Sequence, residues 1–113
     1  MEKLVSYLIE NKLKIATAES CTGGLLASRL TDIPGVSEVF EMGIVSYSNR
    51  IKNEFLGVKS EDLEKYGAVS EAVAKEMSKG AAKKADADIG VGITGIAGPG
   101  GGTIKKPVGT VWL

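Results

Sequence analysis

Thr17-Ala18-Glu19-Ser20-Cys21-Thr22-Gly23-Gly24 is the stretch from which the fold of this chain is read. A short apolar run, Lys14-Ile15-Ala16, precedes it, and an amphipathic run, Leu25-Leu26-Ala27-Ser28-Arg29-Leu30, follows. That order predicts a strand, a tight turn and a helix start. A helix start leaves backbone N–H groups without partners and places a partial positive charge beside them. Such a place suits an anion, or an oxyanion formed beside a nucleophile. Ser20 and Cys21 are both candidate nucleophiles at this turn. A plainer reading serves the turn equally well, with Ser20 or Thr22 only capping the helix. Glu19 is a candidate general base, but the favoured role is structural, pairing with a lysine or bonding backbone N–H groups of the turn. Cys21 reads better as a small buried filler than as a nucleophile.

Length and composition narrow the field. At 113 residues the chain holds one domain at most, with a small core. Fourteen basic and fourteen acidic side chains cancel, so no basic stripe points to nucleic acid. No apolar run is long enough to span a membrane, and the N-terminal segment lacks the features of a signal peptide. A single cysteine fits a reducing compartment, so a cytoplasmic location is expected. The chain has no histidine, which excludes a Ser-His-Asp triad and a Cys-His dyad. Any hydroxyl nucleophile must then be activated by Lys, Tyr, Asp or Glu.

Periodicity and punctuation give the elements. Leu4, Val5, Leu8 and Ile9 predict a helix over 2–11. Lys14 to Ala18 reads as the first strand, and the helix after the turn runs to about Thr31. Glu41 to Ser46 reads as a second strand. A helix starts at Asn49 and ends at Gly57. Ser60 is expected to cap a short helix closed by Gly67. Ser70 is expected to cap a longer one from Glu71 to about Lys84. Ile89 to Thr94 is a third strand, Gly95 to Lys106 a loop, and Val108 to Leu113 a final strand after Pro107. Alternating strands and helices predict a three-layer α/β/α sandwich with a mixed or mostly parallel sheet. The chain reaches Leu113 inside an apolar run, which predicts one domain over 1–113 truncated at its C-terminus.

Two further stretches carry chemistry. In Ser46-Tyr47-Ser48-Asn49-Arg50-Ile51-Lys52, Tyr47, Ser48 and Lys52 can face the strand ends, where open α/β sheets bind ligands. The ordinary alternative makes Asn49 a cap and Lys52 a solvated residue. A basic lysine needs burial. Lowering its pKa roughly three units from about 10.4 costs about 4 kcal/mol. In Gly90-Val91-Gly92-Ile93-Thr94-Gly95-Ile96-Ala97-Gly98-Pro99-Gly100-Gly101-Gly102, a G-x-G-x-x-G match is present. Two of its glycines lie within a strand and no helix follows, so it is not a dinucleotide fingerprint. What remains is a strand ending at Thr94 and a backbone-rich loop that lets a ligand approach closely.

Taken together, Thr17 to Gly24, Val45 to Lys52 with Leu56-Gly57-Val58, Gly67-Ala68-Val69-Ser70, and Thr94 to Gly102 with Lys106-Pro107-Val108-Gly109-Thr110 resemble the CinA C-terminal domain family. That family includes nicotinamide mononucleotide deamidases. The resemblance runs over essentially the whole chain. It implies hydrolysis of the carboxamide of nicotinamide mononucleotide to nicotinate mononucleotide and ammonia, in pyridine nucleotide recycling. It implies Ser20 as nucleophile, Lys52 as base, Tyr47 as a hydroxyl bridging them, and an arginine further downstream than Leu113. Thr94 corresponds to a substrate-site residue. Thr22, Gly23, Ser48, Gly95, Gly98 and Gly100 are expected around the substrate, with the helix start or the glycine loop taking the phosphate. The expected partners are that nucleotide and further copies of the chain, with no cofactor, metal, nucleic acid or membrane. The alternatives are a module that binds a pyridine nucleotide without turning it over, and an interaction domain with a vestigial pocket.

Overall fold

The computed structural model describes residues 1–113, and its architecture follows from one strand. That strand, β1 (Ile15–Glu19), is buried at all five positions, so it must lie between neighbours and beneath two layers. It pairs in parallel with β2 (Phe40–Val45) on one side and with β3 (Ile89–Gly95) on the other. A short fourth strand, β4 (Val111–Trp112), runs antiparallel to the end of β3, giving the order β2-β1-β3-β4.

Alternation along β1 sends Ile15 to one face of the sheet and Ala16 and Ala18 to the other. Ile15 packs with Val5 and Leu8 of α1 (Glu2–Asn11), Leu30 of α2 (Leu25–Thr31), and Val36 and Val39 at a 3₁₀ turn over Val36–Glu38. Ala16 and Ala18 pack with Leu56 of α3 (Asn49–Leu56), Val58, and Val73, Met77 and Ala81 of α5 (Glu71–Ala85). Leu63 of α4 (Ser60–Tyr66) joins the same side. The predicted α/β/α sandwich with a mixed sheet is therefore present. No helix is long and apolar enough to cross a membrane.

The glycines of β3 have a packing role. At Gly90 a Cβ would overlap the backbone oxygen of Ser78, and at Gly92 that of Ala74. Helix α5 thus lies on the bare backbone of β3, closer than any side chain allows. Gly80 does the same between helices, where a Cβ would overlap Leu56 O.

Two expected details are corrected. Ser60 lies inside the first turn of α4 and does not cap it. Lys59 stands at the N-cap, and its N–H donates to Glu76 Oε1 of α5 at 3.0 Å, so the cap comes from another helix. The predicted strand over Val108–Leu113 shrinks to Val111–Trp112, because Pro107 to Thr110 forms a turn closed by Thr110 N–H to Pro107 O at 3.0 Å.

The glycine packing makes a stability prediction. Gly90→Ala should destabilise the fold by about 3 kcal/mol, as overpacking does, and lower the urea midpoint accordingly. Gly100→Ala, with nothing within 4 Å of its Cβ position, should stay within about 0.5 kcal/mol of the parent in the same titration.

Candidate active site

Three parallel strands end together. Ser20 N–H donates to Ile93 O at 2.9 Å and Ser46 N–H to Glu19 O at 2.8 Å, so main-chain bonds carry the strand register one residue further. Ser20 follows β1, Ser46 follows β2, and Thr94 is the last residue but one of β3. This is the carboxyl edge of an open sheet, where α/β folds place ligands.

Helix α3 begins beside that edge and aims Lys52 at it. Ser48 is the N-cap, its Oγ accepting from Ile51 N–H at 3.2 Å. Lys52 lies one turn further on and is 1% exposed. Its Nζ lies 3.0 Å from Ser20 Oγ, 2.8 Å from Ser46 O and 2.9 Å from Tyr47 O. No carboxylate pairs with it; the ion pairs of the chain are Lys14–Glu41, Arg50–Glu54 and Lys75–Glu71. Burial pushes the amine below the ordinary lysine range, with Cys21 opposing part of the shift.

The geometry suits a neutral amine. A neutral amine has two N–H donors and one lone pair. Ser46 O and Tyr47 O occupy two donors, which leaves the lone pair for the Ser20 hydroxyl proton. A protonated amine would make all three bonds as a donor, and would hold Ser20 Oγ as an acceptor only.

Glu19 sits on the opposite side of the same turn. Its side chain faces α2, where Oε1 accepts from Thr22 Oγ1 at 2.6 Å and Leu26 N–H at 2.9 Å. Oε2 accepts from Ala27 N–H at 3.0 Å. Burial pushes this carboxyl up, but the bonds it accepts from Thr22, Ala27 and Leu26 outweigh it and hold the group below its usual value. The α2 start, expected to receive a phosphate or an oxyanion, is thus filled by the protein's own carboxylate.

A cavity of about 290 Å³ opens over Ser20 and Lys52. Cys21, Tyr47, Ala68, Val69, Thr94 and Gly95 line it, together with Ile96, Ala97, Gly98, Gly100 and Gly101 of the glycine loop. Thr94 is 1% exposed and its hydroxyl donates to Ala68 O at 2.9 Å, which fixes the segment between α4 and α5 as one wall. Three larger clefts lie elsewhere, of about 540 Å³ beside Trp112, about 520 Å³ beside Asp62 and Glu76, and about 440 Å³ beside Phe55 and Lys84. The first holds Ser78, but its hydroxyl donates to Lys75 O and the Lys75 amine pairs with Glu71; the other two hold no Ser, Thr or Cys. No group of three or more Cys, Asp and Glu side chains gathers to hold a metal ion.

Several expected site residues lie elsewhere or act differently. The Tyr47 side chain is 74% exposed and makes no hydrogen bond; Lys52 reaches Ser20 directly, so there is no gap for a bridging hydroxyl. Tyr47 contributes its carbonyl instead, as part of the cavity wall. Thr22 is bonded to Glu19, Ser48 caps α3, and Gly23 takes up a positive φ of 61° in the turn; none of the three lines the cavity. Cys21 is partly exposed at the cavity wall rather than buried as a filler. Sequence reasoning missed the carbonyls of Ser46 and Tyr47, which carry no side-chain signal, and the Ala68–Val69 wall.

Comparison with known proteins agrees with this architecture. The CinA C-terminal domain model matches residues 1–113. A putative competence-damage inducible protein of Acetivibrio thermocellus is 64% identical over 106 residues, 94% of this chain and 26% of that protein. A CinA-like protein of Akkermansia muciniphila is 59% identical over 97% of this chain and 27% of its own length. The chain therefore spans about a quarter of the length of the curated relatives it matches. Among solved structures, the competence/damage inducible protein CihA of Agrobacterium tumefaciens superposes with a TM-score of 0.94 at 47% identity, over 96% of this chain and 66% of that one. A CinA superfamily protein of Escherichia coli gives 0.94 at 45%, over 98% and 64%.

The buried amine makes stability depend on pH with a definite sign. The native pKa of Lys52 lies below the unfolded one, so between the two values the unfolded chain binds the extra proton and stability rises with pH. The penalty is absent above the unfolded value of about 10.4 and complete below the native value. Denaturant titrations from pH 7 to pH 10.5 should show the parent gaining more stability than Lys52→Met over that range. Equal slopes would mean that the amine is not depressed.

Proposed function

The chain belongs to the CinA C-terminal domain family, and from that membership we propose that it is a serine–lysine amidase acting on the carboxamide of nicotinamide mononucleotide. One observation carries the chemistry: a buried Lys52 amine, with only carbonyls and Ser20 Oγ around it, at 3.0 Å from that hydroxyl. The nucleotide is the substrate that the family resemblance implies. A cavity of about 290 Å³ beside a loop rich in backbone donors is consistent with it.

Neutral Lys52 takes the Ser20 proton as Oγ attacks the carboxamide carbon. The resulting oxyanion needs donors. The N–H groups of Leu26 and Ala27 are occupied by Glu19, and Ser20 N–H by Ile93 O, whereas Cys21 and Thr22 N–H have no acceptor within the chain. Of the two, Cys21 lines the cavity next to the nucleophile and offers its N–H to the oxyanion, one such donor being worth roughly 10²–10³-fold in rate. The C–N bond then breaks, Lys52 returns its proton to the departing ammonia, and an acyl-Ser20 ester remains. Water, deprotonated by the same amine, cleaves that ester and releases the carboxylate. The phosphate goes to the glycine loop, where Gly98, Gly100 and Gly101 reach the cavity and no intrachain bond uses their N–H groups.

Ser20→Ala should lower ammonia release from nicotinamide mononucleotide on the order of 10³-fold or more, with an unchanged far-UV circular dichroism spectrum. A full rate in that variant removes the nucleophile. Lys52→Arg should lose on the order of 10²–10⁴-fold, because a guanidinium stays protonated at neutral pH. The parent's kcat/KM should rise with pH along a single limb centred below the ordinary lysine value, the sign set by a base that must be neutral. A rate that is flat from pH 5 to pH 9 would exclude Lys52 as the base.

A further inference from the structure

We propose that Glu19 is a positioning residue for the Ser20 nucleophile, acting through the start of α2 rather than through contact with substrate or with Lys52. This rests on the amidase reading only in taking Ser20 as the attacking group.

Glu19 is 1% exposed, and every hydrogen bond to its carboxylate comes from the segment that follows Ser20. An ordinary N-cap residue stands immediately before its helix and bonds the second or third N–H group. Gly24, which stands there, has no side chain, and its φ of 99° is left-handed. Glu19 supplies the cap from five residues upstream. The carboxylate therefore closes a loop, from the end of β1 through Ser20 and back to α2, and Ser20 lies inside the loop.

Few other restraints hold that turn. Gly23 N–H donates to Ser20 O at 3.1 Å and Leu25 N–H to Thr22 O at 3.1 Å, both within the turn itself. Gly23 has nothing within 4 Å of its Cβ position, and Leu25 is 56% exposed. The hydrogen bonds that anchor the turn are those of Ser20, its N–H to Ile93 O and its Oγ with Lys52, at one end and those of the Glu19 carboxylate at the other; Cys21 and Gly24 add only packing, against Gly95 and Val45. Without the carboxylate, α2 loses its cap, and the segment from Cys21 to Gly24 keeps no hydrogen bond to the sheet.

Charge is required as well as shape. All the groups aimed at this carboxylate are donors: the Leu26 and Ala27 N–H groups and the Thr22 hydroxyl. In Glu19→Gln the amide NH₂ would have to face the N–H of Ala27, or that of Leu26 with the Thr22 hydroxyl. Donor would meet donor at a buried site, which costs a hydrogen bond and leaves a group unsatisfied. Glu19→Asp is one methylene shorter and cannot span to both Leu26 and Ala27 from the end of β1.

The test reads Ser20 directly. Phenylmethanesulfonyl fluoride reacts when serine Oγ displaces fluoride from sulfur and the serine proton passes to the Lys52 amine, so labelling needs the dyad but not the nucleotide. Rates are measured by intact mass, at temperatures where circular dichroism shows each variant folded. Glu19→Gln should label roughly 10²-fold more slowly than the parent, the scale expected of a nucleophile displaced by about 1 Å. On nicotinamide mononucleotide, kcat should fall in step while KM stays within about threefold. The midpoint of the pH limb should stay put, because Glu19 faces α2 and not Lys52. Thr22→Val, which deletes one of the three donors, should slow labelling about three- to tenfold and decides the matter if Glu19→Gln does not fold. Labelling at the parent rate in a folded Glu19→Gln, or in Thr22→Val, overturns the proposal, as does a shifted limb. If the parent labels at Ser20 but releases no ammonia from the nucleotide, the substrate assignment fails and the positioning role still stands on the labelling rates.

Discussion

The arrangement depends on keeping one amine out of water. Lys52 is the largest fully buried side chain in the protein, and it is buried without a counter-ion. A surface lysine is a solvated cation and no base at neutral pH. Removing water lowers its proton affinity, whereas a carboxylate partner would raise it again. The protein supplies acceptors that carry no formal charge, the carbonyls of Ser46 and Tyr47. They hold the nitrogen in place while leaving desolvation to dominate. In a chain without histidine, burial beside uncharged acceptors is what holds an amine below the ordinary lysine range.

The only nearby carboxylate has to be kept apart from that amine. Glu19 and Ser20 are adjacent in sequence, yet strand alternation and the turn send them in different directions. Glu19 faces α2 and is satisfied by N–H groups and a hydroxyl, whereas Ser20 faces Lys52. Had the register slipped by one, the carboxylate would have met the ammonium and formed an ordinary ion pair. The same alternation places Ala16 and Ala18 under α5 and keeps that side of the sheet flat. Fold and chemistry thus draw on one short strand.

Much of this is legible in the residues, and the rest is not for identifiable reasons. The strand-turn-helix at Thr17–Gly24, the cap at Ser70 and the stops at Gly57 and Gly67 are local matters of torsion and hydrogen bonding, which a sequence records. The meeting of Ser20 and Lys52 spans 32 residues and depends on the parallel pairing of β1 with β2. Composition gives candidates for it and no distance. Tyr47 invites a role for its hydroxyl, but the side chain points to solvent and the carbonyl does the bonding; backbone groups are the same in every residue and leave no trace in a sequence. Gly90 and Gly92 mimic a nucleotide motif, although their absent side chains serve α5. The cap of α4 comes from Glu76, sixteen positions beyond Ser60, and no local rule finds it.

The height of Lys52 above Ser20 is set by packing some distance from either. Lys52 rides on α3, and the far end of that helix, at Leu56, rests on Gly80 of α5 with no room for a Cβ between them. Helix α5 rests in turn on the glycines of β3, and β3 lies in register beside β1, which ends at Ser20. Each layer in this chain is a backbone-to-backbone contact, and such contacts leave little freedom, because no side chain can change rotamer to absorb a shift. A hydrogen bond between an amine and a hydroxyl tolerates only a few tenths of an ångström. Side-chain packing between large residues would fix the same distance less firmly. Glycines that look like a ligand motif in the sequence are in this fold the spacers that set the geometry of the site.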